Sequence, residues 1–183
     1  MVRAIVIRIF RLIESPRATW KEIEEEEASA KEIQNNFFYP LVIIVALATF
    51  LGALINGKPI EYMLKETVVV LTSTVAGYFI AVILLNEIIS RLFDVENSYA
   101  ACAGIIAYSI AFKLCVDVIV AIVPSLFILY LSNFYVAYII WEGAGIMFRE
   151  LKENKRGFFT VICFILLYVS PFLIKRGMYL MMK

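Results

Sequence analysis

Histidine is absent from the 183 residues. A haem held by an axial imidazole is therefore excluded, and without a Cys-x-x-Cys spacing no zinc or other transition-metal site is expected. Cysteine occurs three times, at Cys102, Cys115 and Cys163, each inside an apolar run. An odd number of dispersed thiols makes no disulfide framework, so these read as small buried hydrophobes. An excess of one charge sign is lacking too. The 17 basic and 16 acidic residues leave +1, without the basic footprint that nucleic acid selects. No cofactor and no nucleic-acid partner is expected. Glutamine is confined to Gln34, and with a tail rich in Glu and Lys this leans toward a thermophilic composition.

Apolar surface is abundant. The chain is 62% hydrophobic with a mean hydropathy of +0.86. Soluble domains sit nearer half apolar, so the excess calls for a bilayer as solvent. A helical span needs about 20 mostly apolar residues. Five runs qualify, at 37–56, 67–90, 99–122, 126–148 and 158–174. None alternates with period two over about ten residues, as a barrel strand would, so helices are expected. The fold class is an all-α integral membrane protein: a bundle of five transmembrane helices behind an N-terminal amphipathic interfacial helix. Residues 1–36 form the cytoplasmic segment and 37–183 the membrane domain. The stretches GKPIEYMLKE, RLFDVEN and RELKENKRG read as short loops. Val123-Pro124-Ser125 joins spans three and four in a tight hairpin, with Pro124 suited to the first turn of the next helix.

Basic residues set the orientation. The N-terminal segment contributes six, Arg91 one, and Arg149, Lys152, Lys155 and Arg156 four, which makes eleven on one side. Lys58, Lys65, Lys175, Arg176 and Lys183 make five on the other. The richer side is expected in the cytoplasm, with the N-terminus in and the C-terminus out. The lack of disulfide logic and the short tail suggest a prokaryotic cytoplasmic membrane.

In MVRAIVIRIFRLIESPRATW, the residues Arg3, Arg8, Arg11 and Glu14 fall on one helical face. Val2, Ile5, Val6, Ile9, Phe10, Leu12 and Ile13 occupy the other. Two readings stay open: a helix in the membrane interface with its basic face on anionic headgroups, or one packed on the protein itself. Ser15-Pro16 reads as an N-cap and first-turn proline opening a second helix. The acids of Glu22–Glu27 sit early in that helix; a solvated surface is the default reading of them, and a patch that receives a basic protein partner is the other.

SPRATWKEI resembles the proline-x-x-x-tryptophan start of the prokaryotic branch of the Yip (Ypt-interacting protein) family. AYSIAF, from Ala107 to Phe112, is similar to that family's tyrosine-serine segment in the middle span. Pro16, Trp20, Tyr108 and Ser109 are the positions that carry over. Phe112 stands where many bacterial relatives have a proline. The aspartate-leucine-tyrosine-glycine-proline motif of the eukaryotic branch is missing, so small-GTPase binding does not carry over. The resemblance implies a five-span membrane-organising or adaptor protein with a cytoplasmic N-terminus.

Charges inside the spans form the remaining candidate cluster: Lys113, Asp117 and Glu142. Lys113 and Asp117 lie four apart and share a face. A lone charge at bilayer centre costs about 2.5–3.5 kcal/mol, so the pair either compensates itself or marks a polar path. Glu142 lacks a local partner and is expected to reach a basic residue on another helix. Ser, Cys and Tyr occur without a Gly-x-Ser-x-Gly, His-Glu-x-x-His or phosphate loop, so an enzyme is not expected. The expected role is a non-enzymatic membrane organiser or adaptor. The alternative is a small channel or transporter built on Lys113, Asp117 and Glu142.

Overall fold

The structure, a computed structural model, describes residues 2–93, 95, 96 and 98–182. The Val2 side chain and Lys183, both used above, lie outside the described part. Among the described residues there is no strand, and seven helices follow in order. They are α1 (Val2–Glu14), α2 (Pro16–Glu25), α3 (Ala30–Ile55), α4 (Ile60–Phe93), α5 (Tyr99–Ile122), α6 (Pro124–Met147) and α7 (Glu153–Met181). Helices α3 to α7 are each long and apolar enough to cross a membrane. The chain is an all-α integral membrane protein.

The five long helices close a ring. α3 packs on α4 and α5, α4 on α7, α7 on α6, and α6 back on α5. α5 is the innermost at one end: every residue from Ala101 to Ala111 is buried. A helix apolar on all sides needs such surroundings. Close approach depends on small residues at helical spacing. A Cβ on Gly52 would lie 2.1 Å from the Ala121 carbonyl oxygen, and one on Gly77 would lie 2.6 Å from Pro171. Cys102 and Cys163 are buried and Cys115 partly so, all as free thiols.

Several ends fall elsewhere than expected. α4 begins at Ile60 rather than at 67, so most of GKPIEYMLKE is helix. Its extra turns are held from α7, where the Tyr179 hydroxyl donates to Glu66 and Lys175 Nζ lies 3.9 Å from the same carboxylate. Hydropathy cannot register that kind of support. α7 likewise runs past both ends of 158–174. The connection left between α3 and α4 is tight. Gly57 takes the left-handed conformation (φ 66°), letting its N–H reach Leu54 O and the Lys58 N–H reach Ala53 O, each at 3.0 Å.

α3 opens on a capping box that the sequence carries as Ser-x-x-Glu and that the motif reading passed over. Ser29 N–H donates to Glu32 at 2.8 Å, and Glu32 N–H donates to Ser29 Oγ at 3.3 Å. A π-helical turn, Gln34–Phe38, then carries the helix into its apolar part. Pro124 occupies the first turn of α6 as expected, but Pro124–Phe134 is wound as 3-10 turns interrupted by a kink at Leu126, and the chain becomes α-helical at Tyr135.

Candidate functional site

Two regions gather polar side chains, one at each end of the bundle. At the first, α1 and α2 form an antiparallel helical hairpin. Arg8 donates to Glu26 through Nη1 and Nη2, at 3.2 and 2.5 Å, and Arg11 Nη1 donates to Glu22 at 2.9 Å. Burial alone would lower the Arg8 pKa, but the Glu26 hydrogen bond and charge outweigh it, and the net shift is upward. Glu24 pairs with Arg149, whose pKa rises because it donates to that carboxylate and sits beside its charge. Glu22, Glu24 and Glu26 of the acidic run are thus matched from within the chain; Glu25 and Glu27 stay exposed.

The apolar side of α1 is divided between two surroundings. Ile5, Ile9 and Leu12 are buried in the core, whereas Val6 and Phe10 stay exposed at 43% and 65%, and Ile7, on the charged face between Arg11 and Glu14, at 44%. Arg3 is exposed in the first turn of α1. The hairpin corner is anchored well along α6. The Tyr135 hydroxyl donates to Ile13 O at 2.7 Å, a position about 18 Å along the helix from Met147. Ser15 is the N-cap of α2 without a side-chain cap bond; its carbonyl instead accepts from the Thr19 N–H and hydroxyl.

Two of the four family positions, Trp20 and Tyr108, meet where this hairpin packs on the bundle. Pro16 is buried at the start of α2. Trp20 is fully buried, edge-on to Tyr108 with ring centroids 5.9 Å apart, and its Nε1 donates to Ile139 O at 3.0 Å. Tyr108 also lies against Phe37 and beneath Arg8. Ser109 is fully buried, and its Oγ has no hydrogen-bond partner among the described residues.

The opposite end holds a cavity of about 480 Å³, open on one side and lined from all five long helices. α3 contributes Thr49, with Asn56 just past its end; α4 contributes Glu66, Ser73 and Thr74. α5 supplies Lys113 and Asp117, α6 Tyr130, and α7 Tyr168 and Lys175. Every one of these residues comes from the half of its helix nearer the Gly57 and Pro124 turns. The cavity is therefore a vestibule and does not run through the bundle. Its lining ends one turn short of Tyr78, which stacks on Phe38 at 4.0 Å, both fully buried.

Lys113 Nζ donates to Asp117 Oδ2 at 2.5 Å, with side chains 22% and 24% exposed. The pair faces the vestibule rather than a dry core. Glu142 is not with them. It lies 3.9 Å from Arg156 of α7, as an acid reaching a base on another helix, and takes no part in the vestibule lining. Arg156 is held further: its Nε donates to Trp141 O at 2.6 Å and its guanidinium stacks 4.7 Å from the Trp141 ring. The expected cluster of three is thus a pair and a separate site. The other charges of the vestibule were not legible: Lys175 and Glu66 arrive from helices distant in sequence.

No curated protein and no solved structure matches the chain significantly. The family model described as Yip1 domain matches residues 10–174, which takes in the hairpin from Phe10 onward and nearly all of the five-helix bundle. The chain belongs to the Yip family of membrane proteins.

Proposed function

We propose that the protein is a non-enzymatic organiser of a prokaryotic cytoplasmic membrane, acting through its N-terminal hairpin on the cytoplasmic leaflet. The observation that supports this best is that the apolar residues of α1 are divided between core and surface. Ile5, Ile9 and Leu12 fasten the helix to the bundle while Val6, Ile7 and Phe10 face outward. The paired charges of Arg8, Arg11, Glu22 and Glu26 lower the cost of placing such an element among headgroups. A hairpin wedged beside α6 on this side spreads the headgroups of one leaflet, and exposed Arg3 and Arg11 suit anionic lipids. The basic bias of the loops supports this side as cytoplasmic, with the C-terminus outside. Glu25 and Glu27 leave a small acidic edge for a basic protein partner, which is the adaptor side of the reading.

The test is the full-length protein reconstituted into vesicles containing phosphatidylglycerol. The native chain should shift the population toward smaller, more curved vesicles. The triple variant Val6→Ser, Ile7→Ser, Phe10→Ser, inserted at equal density, should not; equal size distributions for the two would overturn the proposal.

One observation favours a second reading, passage of ions or small solutes: the charged vestibule around Lys113 and Asp117. It is the weaker reading, because Glu142 stands apart and the Tyr78–Phe38 stack lies beneath the cavity. Measurable flux in liposomes that is abolished by Lys113→Met in a well-folded protein would establish it.

A further inference from the structure

The vestibule is a concavity of about 480 Å³ lined by five charged side chains, and the hairpin reading makes no use of it. Its chemistry is mixed in a particular way. Lys58, Lys113 and Lys175 line it against two carboxylates, Glu66 and Asp117, so the balance is positive. Both carboxylates are engaged. Asp117 holds Lys113, and Glu66 takes the Tyr179 hydroxyl. The lysines are less committed. An ammonium has three donors, and Lys113 spends one on Asp117. Lys175 is 3.9 Å from Glu66, beyond good hydrogen-bond distance, with its side chain 42% exposed. The hydroxyls of Tyr62 and Tyr130 add donors around the same space.

The walls are apolar. Val45, Val70 and Val120 line the cavity, and Phe172 at its edge is 64% exposed. Lys113 lies about 14 Å along α5 from Ile122, so the cationic floor is well inside the span. A volume near 480 Å³ suits a small organic group rather than a lone ion. We propose that the vestibule is a binding site for the headgroup of a phospholipid. Its phosphate bridges Lys113 and Lys175, and its acyl chains leave past Phe172. A phosphate oxygen accepts from the free donors of both ammonium groups, and these charge-assisted bonds are strongest away from bulk water. A soluble phosphate would meet the same lysines but leave the apolar wall uncovered, which favours the lipid as the source. The site lies at the opposite end from the hairpin and does not depend on it.

The test uses the full chain in a neutral detergent, stripped of lipid. It is challenged with phosphatidylglycerol, with a phosphate-free galactolipid of the same acyl chains, and with soluble glycerol phosphate. Retained lipid is counted by native mass spectrometry and its effect on thermal unfolding recorded. The native protein should retain the phospholipid about tenfold better than the galactolipid, the difference that one charge-assisted contact makes. Lys175→Met, and separately the double variant Lys113→Met, Asp117→Leu, should remove that preference. Arg176→Met, next in sequence but outside the lining, should keep it. Equal retention of the two lipids would overturn the proposal, as would a preference that survives in both vestibule variants. Displacement of the phospholipid by glycerol phosphate would assign the site to a soluble phosphate and overturn the lipid. The vesicle-size assay depends on Val6, Ile7 and Phe10, so either proposal can fail without the other.

Discussion

The indole of Trp20 donates to the Ile139 carbonyl inside a notch that Gly143 leaves open on α6. A Cβ on Gly143 would stand 2.5 Å from the indole ring, which is fully buried and has nowhere to retreat. Gly143→Ala should therefore push the hairpin off α6. Overpacking of this kind costs about 1–3 kcal/mol, so thermal unfolding in detergent should begin markedly lower. A normal transition with unchanged protease resistance of α1 and α2 would show that the notch is not needed.

The Lys113–Asp117 pair is expected to behave as a unit. Lys113→Met or Asp117→Leu alone strands a charge at the vestibule floor. Breaking a fully buried pair costs about 3–5 kcal/mol. The exposure near one quarter reduces that here to about 1–3 kcal/mol. The double variant should recover much of the loss. Additive destabilisation in a double-mutant cycle would count against pairing.

Arg8 and Glu26 should exchange. Arg8→Glu places two acids face to face across the hairpin and should loosen α1, read as faster hydrogen exchange over residues 3–14. Adding Glu26→Arg should restore protection. The pair is partly exposed, so the stability change should stay within about 1 kcal/mol. The exchange pattern is the sharper measurement.

Arg156 should not tolerate lysine. Its planar guanidinium stacks on Trp141, donates to a backbone carbonyl and faces Glu142 together, and an ammonium cannot reproduce that set. Arg156→Lys should lower stability by about 1–2 kcal/mol. Glu142→Gln should leave lipid retention at the vestibule unchanged, since Glu142 is no part of its lining. A loss of lipid there would mean that the two sites communicate.

Topology has a direct measurement. A reporter placed before Met1 should stay in the cytoplasm and one after Lys183 should be translocated. Both ends on one side would contradict five crossings.

The five spans were legible because the cost of bare backbone in hydrocarbon acts on each run of about 20 residues by itself. Lys113 and Asp117 were legible for a similar reason: helical periodicity alone brings positions four apart together. The Pro16, Trp20 and Tyr108 resemblance was readable as a pattern, but not its reason, which is a ring packed into a glycine notch on α6. The rest depends on partners far along the chain. Whether the apolar side of α1 faces lipid or protein is undetermined by periodicity, and the bundle splits it, burying Ile5 and exposing Val6. The start of α4 at Ile60 answers to Tyr179 and Lys175, and Glu142 answers to Arg156. The vestibule is lined from five helices at once, and no single helix carries that shape. Hydropathy and periodicity are properties of a segment and were settled by the sequence alone. Which charges meet, and where the bundle leaves space, are relations between segments, and only the packing of the helices decided them.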